Sequence, residues 1–272
     1  YGFVRIAIPM LPQGAKAWAP VIAILAVIGI IYGALGCLAQ TDFKRLIAFS
    51  SVAHMGFVML GISTLTDFGI NAAMFGMVAH GLITGMLFFL AGSVKHRYHT
   101  LEIRRLSGIL VQMPRLGWIL GFCAMASLGL PGLAGFWGEF PAILSAYNPG
   151  FGLSTDLFRT LMVIAALGTV FAAAYLLWLY QRTAFGEPNP EFVNHGHQPS
   201  HALSAAVNTS DDDHHDDDHH GADIFDVTPI EWVSWVPFLI AIVVLGVYPQ
   251  LLFELMDPAV GNIIDQLGRG IP

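Results

Sequence analysis

The stretch 121-GFCAMASLGLPGLAGFWGEF-140 poses the question that the rest of the chain has to answer. Glu139 is the only charged residue in an apolar run from Leu116 to Ala146. Within that run Pro131 has Gly129 and Gly132 beside it and Gly135 close behind. Proline removes a backbone donor and collides with the preceding turn, and neighbouring glycines weaken a helix further. The run therefore predicts two half-helices joined by unwound backbone near 129–135, with the carboxylate on the second half. Irregular backbone at membrane depth survives only where it is buried in protein or lines a wet cavity. A carboxylate in such a place either destabilises the fold to no purpose or handles an ion.

The composition agrees with a membrane setting. Of 272 residues, 55% are hydrophobic and 11% charged, against about 25% charged in ordinary soluble domains. Mean hydropathy is +0.64. The net charge of −7 misleads, because 11 of the 19 acids lie between Glu187 and Glu231. Cys37 and Cys123 each sit in an apolar run, so neither a disulfide nor a metal pair is expected. There is no Gly-rich phosphate loop, nucleophile elbow or cysteine cluster. The chain is expected to hold no flavin, haem or iron–sulfur centre and no bound metal, and nothing points to nucleic acid.

A helix needs roughly 20 apolar residues to cross the bilayer core. Six such runs are present: 19–39, 46–62, 68–94, 116–146, 158–181 and 230–256. They are apolar around the whole circumference and show no sustained alternation, which predicts an all-α, polytopic transmembrane helix bundle. The run 68–94 is long enough to be tilted. The opening YGFVRIAIPMLP is already apolar, has no signal-peptide layout and reads as the end of a further spanning helix. The chain is accordingly expected to be the C-terminal part of a longer one.

Lys44, Arg45, Lys95, Arg97, Arg104, Arg105, Arg115 and Arg182 fall on one face when the six spans alternate, and they are eight of the twelve basic residues. Basic residues mark the cytoplasmic face. The residues divide into a bundle over 1–182, a polar acidic and His-rich cytoplasmic loop over 183–229 expected to be disordered, a last span over 230–256 and an outer-side tail over 257–272. In the loop, His214, His215, His219 and His220 alternate with aspartates. Such spacing could chelate zinc or nickel, though a solvated spacer accounts for it without metal.

Ionisable groups at membrane depth mark ion paths by default. Three candidates stand out. Glu139 lies on the second half-helix. His80 sits mid-span in MVAHGLITGML with Gly81, Thr84 and Gly85 nearby, leaving room for water. An imidazole can take a proton on one nitrogen and release one from the other. His54 has Ser50 and Ser51 about one turn below it, as a polar seam would. Hydrogen bonding within the core is the alternative for both histidines; it explains His54 equally simply, whereas His80 reads as a proton carrier once Glu139 is considered beside it. Lys44 stands at the cytoplasmic mouth, where ordinary anchoring or a proton entrance both fit.

The stretch 41-TDFKRLIAFSSVAHMGFVMLGI-62, with 1-YGFVRIAIPMLP-12, 78-VAHGL-82 and 129-GLPGLAGFWGEF-140, resembles the antiporter-like subunits of respiratory complex I, the proton-pumping NADH:quinone oxidoreductase. The resemblance covers nearly the whole chain except the loop. His54 in AHMGF and a glutamate at 139 favour the M-type paralogue, the counterpart of mitochondrial subunit 4. Such a likeness implies fourteen helices in two inverted repeats, each with a broken helix, of which this chain would carry the second half. It further implies that Glu139 ends the outward half-channel and that His80 and His54 belong to the central polar axis. The partners would be the lipid bilayer and other membrane-arm subunits of L and N type. NADH, FMN, iron–sulfur clusters and quinone would reside in other subunits of a complex in the bacterial inner membrane. Two other readings are a subunit of a multi-subunit sodium/proton antiporter and a non-transporting scaffold with a metal-binding loop.

Overall fold

The computed structural model describes residues 1–192 and 224–270. Among these residues, eight helices of twelve residues or more form the bundle: α1 (Pro12–Leu38), α2 (Phe43–Ser63), α3 (Asp67–Tyr98), α4 (Pro114–Ser127), α5 (Ala134–Ser145), α6 (Thr155–Ala184), α7 (Pro229–Val247) and α8 (Gln250–Gly270). Residues 3–10 are helical as well, a wide π-type turn over Phe3–Ala7 followed by an α-helical turn over Ile8–Met10 ahead of α1. Helices α1, α2, α3, α6 and α7 are each long and apolar enough to cross a membrane. The apolar run 116–146 is divided between α4 and α5, of 14 and 12 residues. No strand occurs among the described residues, so the all-α transmembrane bundle expected from the sequence is what the chain forms.

The helix ends follow local chemistry. Asp42 caps α2 by accepting from Arg45 N at 2.9 Å, and Thr66 caps α3 by accepting from Gly69 N at 3.0 Å. Thr228 and Glu231 form a reciprocal capping box at the start of α7. With 32 residues α3 is roughly 48 Å long, which exceeds the bilayer core and fits a tilted or protruding helix. It is the hub of the bundle, packed against α2, α4, α5, α7 and α8.

Apolar groups cover the outside and small residues line the helix crossings, as lipid-embedded packing requires. Leu25 and Ile28 on α1 and Leu167 and Val170 on α6 are more than half exposed. Inside, Gly138 of α5 lies directly on Gly76 of α3, where any added methyl would strike the opposing backbone. Ala at 138 would push α5 off its hub.

Two boundaries differ from the expectation. The last crossing stops at Val247, and 250–270 form a separate helix in place of a span ending at 256 and a free tail. The cause is local: Pro249 cannot continue the α7 ladder, and polar residues such as Gln250, Glu254 and Asp257 follow it. On α8, Met256, Val260 and Leu267 are buried, and Asn71 donates to Asp257 Oδ1 at 2.8 Å. The expected disordered loop is also ordered at both ends. Helix α6 runs to Ala184, and Glu191 pairs with Arg105. Gln112 donates to Phe192 O at 2.9 Å. On the returning side, Arg97 donates to Phe225 O at 2.7 Å and pairs with Glu231 at 2.8 Å. Residues 193–223 lie outside the described residues, and with them His214, His215, His219 and His220.

Candidate functional site

The broken helix brings Glu139 into the bundle. Gly129 and Gly132 adopt left-handed backbone, with φ of 71° and 92°, which L side chains enter only at a cost. These two residues turn the chain between Ser127 at the end of α4 and Ala134 at the start of α5. The break is braced from α7: Trp137 Nε1 donates to Gly246 O at 2.8 Å, and Gly246 packs on the backbone of Gly132 and Leu133. Glu139 then sits in the second turn of α5, held close to α3 by the Gly138–Gly76 contact.

From there the carboxylate reaches across to α2. Glu139 Oε1 and His54 Nδ1 are 2.5 Å apart, with the side chains 14% and 4% exposed. The second carboxylate oxygen lies over Gly129, where a methyl group would come within 3.1 Å of it. The other ring nitrogen of His54 is also engaged: Nε2 lies 3.2 Å from Ser127 Oγ and 3.1 Å from the Tyr175 hydroxyl. Residues from α4, α5 and α6 therefore converge on the imidazole carried by α2.

His80 on α3 forms the adjoining station. Its ring lies 5.4 Å from that of His54, centroid to centroid. His80 Nε2 is 3.1 Å from Ser51 Oγ, and the Thr84 hydroxyl lies 3.2 Å from the same ring. Both histidines line a cavity of about 20 Å3, together with Ser127, Glu139 and small and apolar side chains. One water needs roughly 10–15 Å3 and two to four polar partners. The cavity meets both conditions.

Three of the four residues singled out in the sequence, Glu139, His80 and His54, thus meet in space. Lys44 does not join them. It is exposed near the start of α2, ten residues and about 15 Å of helix rise from His54. The seam expected below His54 is divided: Ser51 turns to His80, whereas Ser50 donates back to Ile47 O at 2.8 Å. Sequence reasoning missed Ser127 and Tyr175. Tyr175 is fully buried, and its one available signal was a polar-headed aromatic deep in an apolar span. Ser127 differs from other small polar residues only in standing just before the break.

Chemically, the arrangement can carry protons. The carboxylate, two imidazoles and four hydroxyls all exchange protons and can all serve as donor or acceptor in one state or another. Among the described residues no group of three or more histidine, cysteine or acidic side chains is placed to hold a metal ion.

Comparison with known proteins agrees over nearly the whole chain. NADH-quinone oxidoreductase subunit M of Rhodobacter capsulatus is 35% identical over 264 residues, 97% of this chain and 44% of the relative. NADH-ubiquinone oxidoreductase chain 4 of Marchantia polymorpha is 33% identical, covering 97% of this chain and 46% of the relative. The chain therefore spans somewhat under half the length of these curated relatives. Among solved structures, a chain of respiratory complex I from Thermus thermophilus with bound NADH superimposes with a TM-score of 0.78 at 28% identity, covering 98% of this chain and 48% of that one. The Mrp complex from Dietzia sp. shares the fold, with a TM-score of 0.70 at 21% identity over 96% of this chain and 50% of that one. With the family model matching residues 1–175, the chain belongs to the NADH:quinone oxidoreductase/Mrp antiporter transmembrane family.

Proposed function

We propose that this chain is the outward half of a proton path in an M-type membrane-arm subunit of NADH:quinone oxidoreductase. The observation that carries the reading is the buried Glu139–His54 contact of 2.5 Å beside a helix break, with His80 next to it. A proton reaches the pair from the His80 side, passes through the His54 ring and loads Glu139, which releases it outward. Electron transfer drives the cycle from other subunits, where NADH, FMN, iron–sulfur clusters and quinone reside, and no redox chemistry takes place in this chain. The partners are paralogous L- and N-type subunits and the lipid of a bacterial inner membrane. Lys44 sits at the cytoplasmic mouth, and α8 lies on the outer face.

The names of the relatives at 33–37% identity support this reading over a sodium/proton antiporter, since the Mrp complex is similar in fold alone. The test is Glu139→Gln in the full-length protein within the assembled complex. NADH oxidation by an artificial acceptor is expected to survive, while quinone-linked proton pumping is lost. Normal pumping in that variant would make Glu139 structural and remove the reading. Sodium-dependent transport without NADH oxidation would favour the antiporter.

A further inference from the structure

Both ring nitrogens of His54 are occupied, and neither by His80. Nδ1 faces Glu139, and Nε2 faces the hydroxyls of Ser127 and Tyr175. A proton arriving at His80 thus meets no free nitrogen on the neighbouring ring. Ser127 lines the cavity that both histidines also line, and Tyr175 does not. We propose that the Ser127 hydroxyl is the link by which a proton crosses from the His80 side to Nε2 of His54, while Tyr175 holds that nitrogen from outside the cavity.

The step balances. A water in the cavity, recharged by an N–H of His80, gives a proton to Ser127 Oγ as the serine hydroxyl gives its own to Nε2. The ring in turn releases its Nδ1 proton to Glu139 Oε1. One proton leaves His80 and one arrives on Glu139, and the serine ends neutral with its hydrogen exchanged. Nε2 is an acceptor before the step and a donor after it. A hydroxyl can serve both states by rotating, which a carbonyl or an amide N–H cannot. Tyr175 offers the same adaptability from a buried, fixed ring and acts as a positioning residue.

This inference rests on the proton-path reading above, and the two can fail separately. The test uses Ser127→Ala, with Ser127→Thr and Ser127→Val as a pair of equal shape that differs in the hydroxyl, and Glu139→Gln beside them. All are made in the full-length protein in the assembled complex. Pumping per complex is normalised to NADH oxidation by an artificial acceptor. Ser127→Ala and Ser127→Val are expected to lower pumping about tenfold or more, in line with the loss of a positioned proton-transfer group. Ser127→Thr should stay near the parent. Tyr175→Phe keeps the ring and should shift the protonated-carboxyl infrared band of Glu139 with a smaller loss of rate. Equal pumping in the Thr and Val variants overturns the proposal, as does failure of Ser127→Ala to assemble, which would make the residue structural. If Ser127→Ala pumps normally while Glu139→Gln does not, the serine link falls and the proton path stands. Normal pumping in Glu139→Gln removes both.

Discussion

The two left-handed glycines of the helix break allow backbone strain to be separated from crowding of the site. Gly129 has φ of 71° and Gly132 has φ of 92°, so Ala at either position incurs the left-handed penalty, about 1–2 kcal/mol. Their surroundings differ. A methyl on Gly132 meets nothing within 4 Å, whereas one on Gly129 comes within 3.1 Å of Glu139 Oε2. The carboxylate is rigid, so relieving that contact also moves Oε1 relative to His54. A displacement of roughly 0.3 Å, scaled from a roughly hundredfold loss per ångström of misplacement, lowers proton transfer about fourfold. Gly129→Ala and Gly132→Ala should therefore lower the thermal inactivation temperature of the assembled complex by similar amounts. Only Gly129→Ala should lower quinone-linked pumping per complex. Equal pumping in the two variants, or a greater loss in Gly132→Ala, would refute the view that the second oxygen of Glu139 rests on the break.

Two further outcomes follow from contacts away from the site. Glu231→Gln leaves the buried Arg97 guanidinium with carbonyl partners and no carboxylate. Breaking a buried pair costs up to about 3–5 kcal/mol, and partial exposure of Glu231 reduces this to about 2–3 kcal/mol, measurable as faster amide exchange over 226–232. Unchanged protection there would show that the pair does not fasten α7 to α3. Trp137→Phe removes the 2.8 Å bond to Gly246 O, worth about 1 kcal/mol. A drop in thermal stability without loss of pumping is expected, and a loss of pumping would mean that α7 controls the position of Glu139.

The spans, the break and the polar triad were legible in the sequence because each rests on a rule of composition at short range. Pro131 with its glycines announces the unwound turn, and a lone glutamate in an apolar run announces itself. What remained hidden depends on which helices meet. Ser127 and Tyr175 are separated from His54 by 73 and 121 residues, and nothing local marks either as a partner of that ring. The same holds for Asp226. It sits in a stretch whose polarity predicted disorder, yet it accepts from Arg115 N at 3.0 Å and Leu116 N at 3.2 Å and so caps α4 from a distant part of the chain. The break at Tyr248–Pro249 was readable in principle, but apolar Leu251, Leu252 and Phe253 extended the hydropathy of the span past it.

The charge states open to the triad give the proposed path a direction. The Glu139–His54 pair is neutral overall both as carboxylate with imidazolium and as acid with imidazole. Moving the shared proton across 2.5 Å therefore creates no net charge in a medium where an unpaired charge costs several kcal/mol. Adding a proton at His80 is different. At 5.4 Å between ring centres, two imidazoliums repel by roughly 3 kcal/mol at an effective dielectric constant of about 20. That is a bias of more than about a hundredfold against both rings being charged at once. In the proposed path, a proton arriving on His80 is therefore accompanied by transfer of the His54 proton to Glu139, the member of the triad nearest the break. Once Glu139 has released that proton, Nδ1 of His54 is bare and Nε2 carries the hydrogen, so the ring must return to its Nδ1–H tautomer before Ser127 can pass the next proton from His80 to Nε2. On this proposal, the spacing of the two rings makes each arriving proton expel its predecessor.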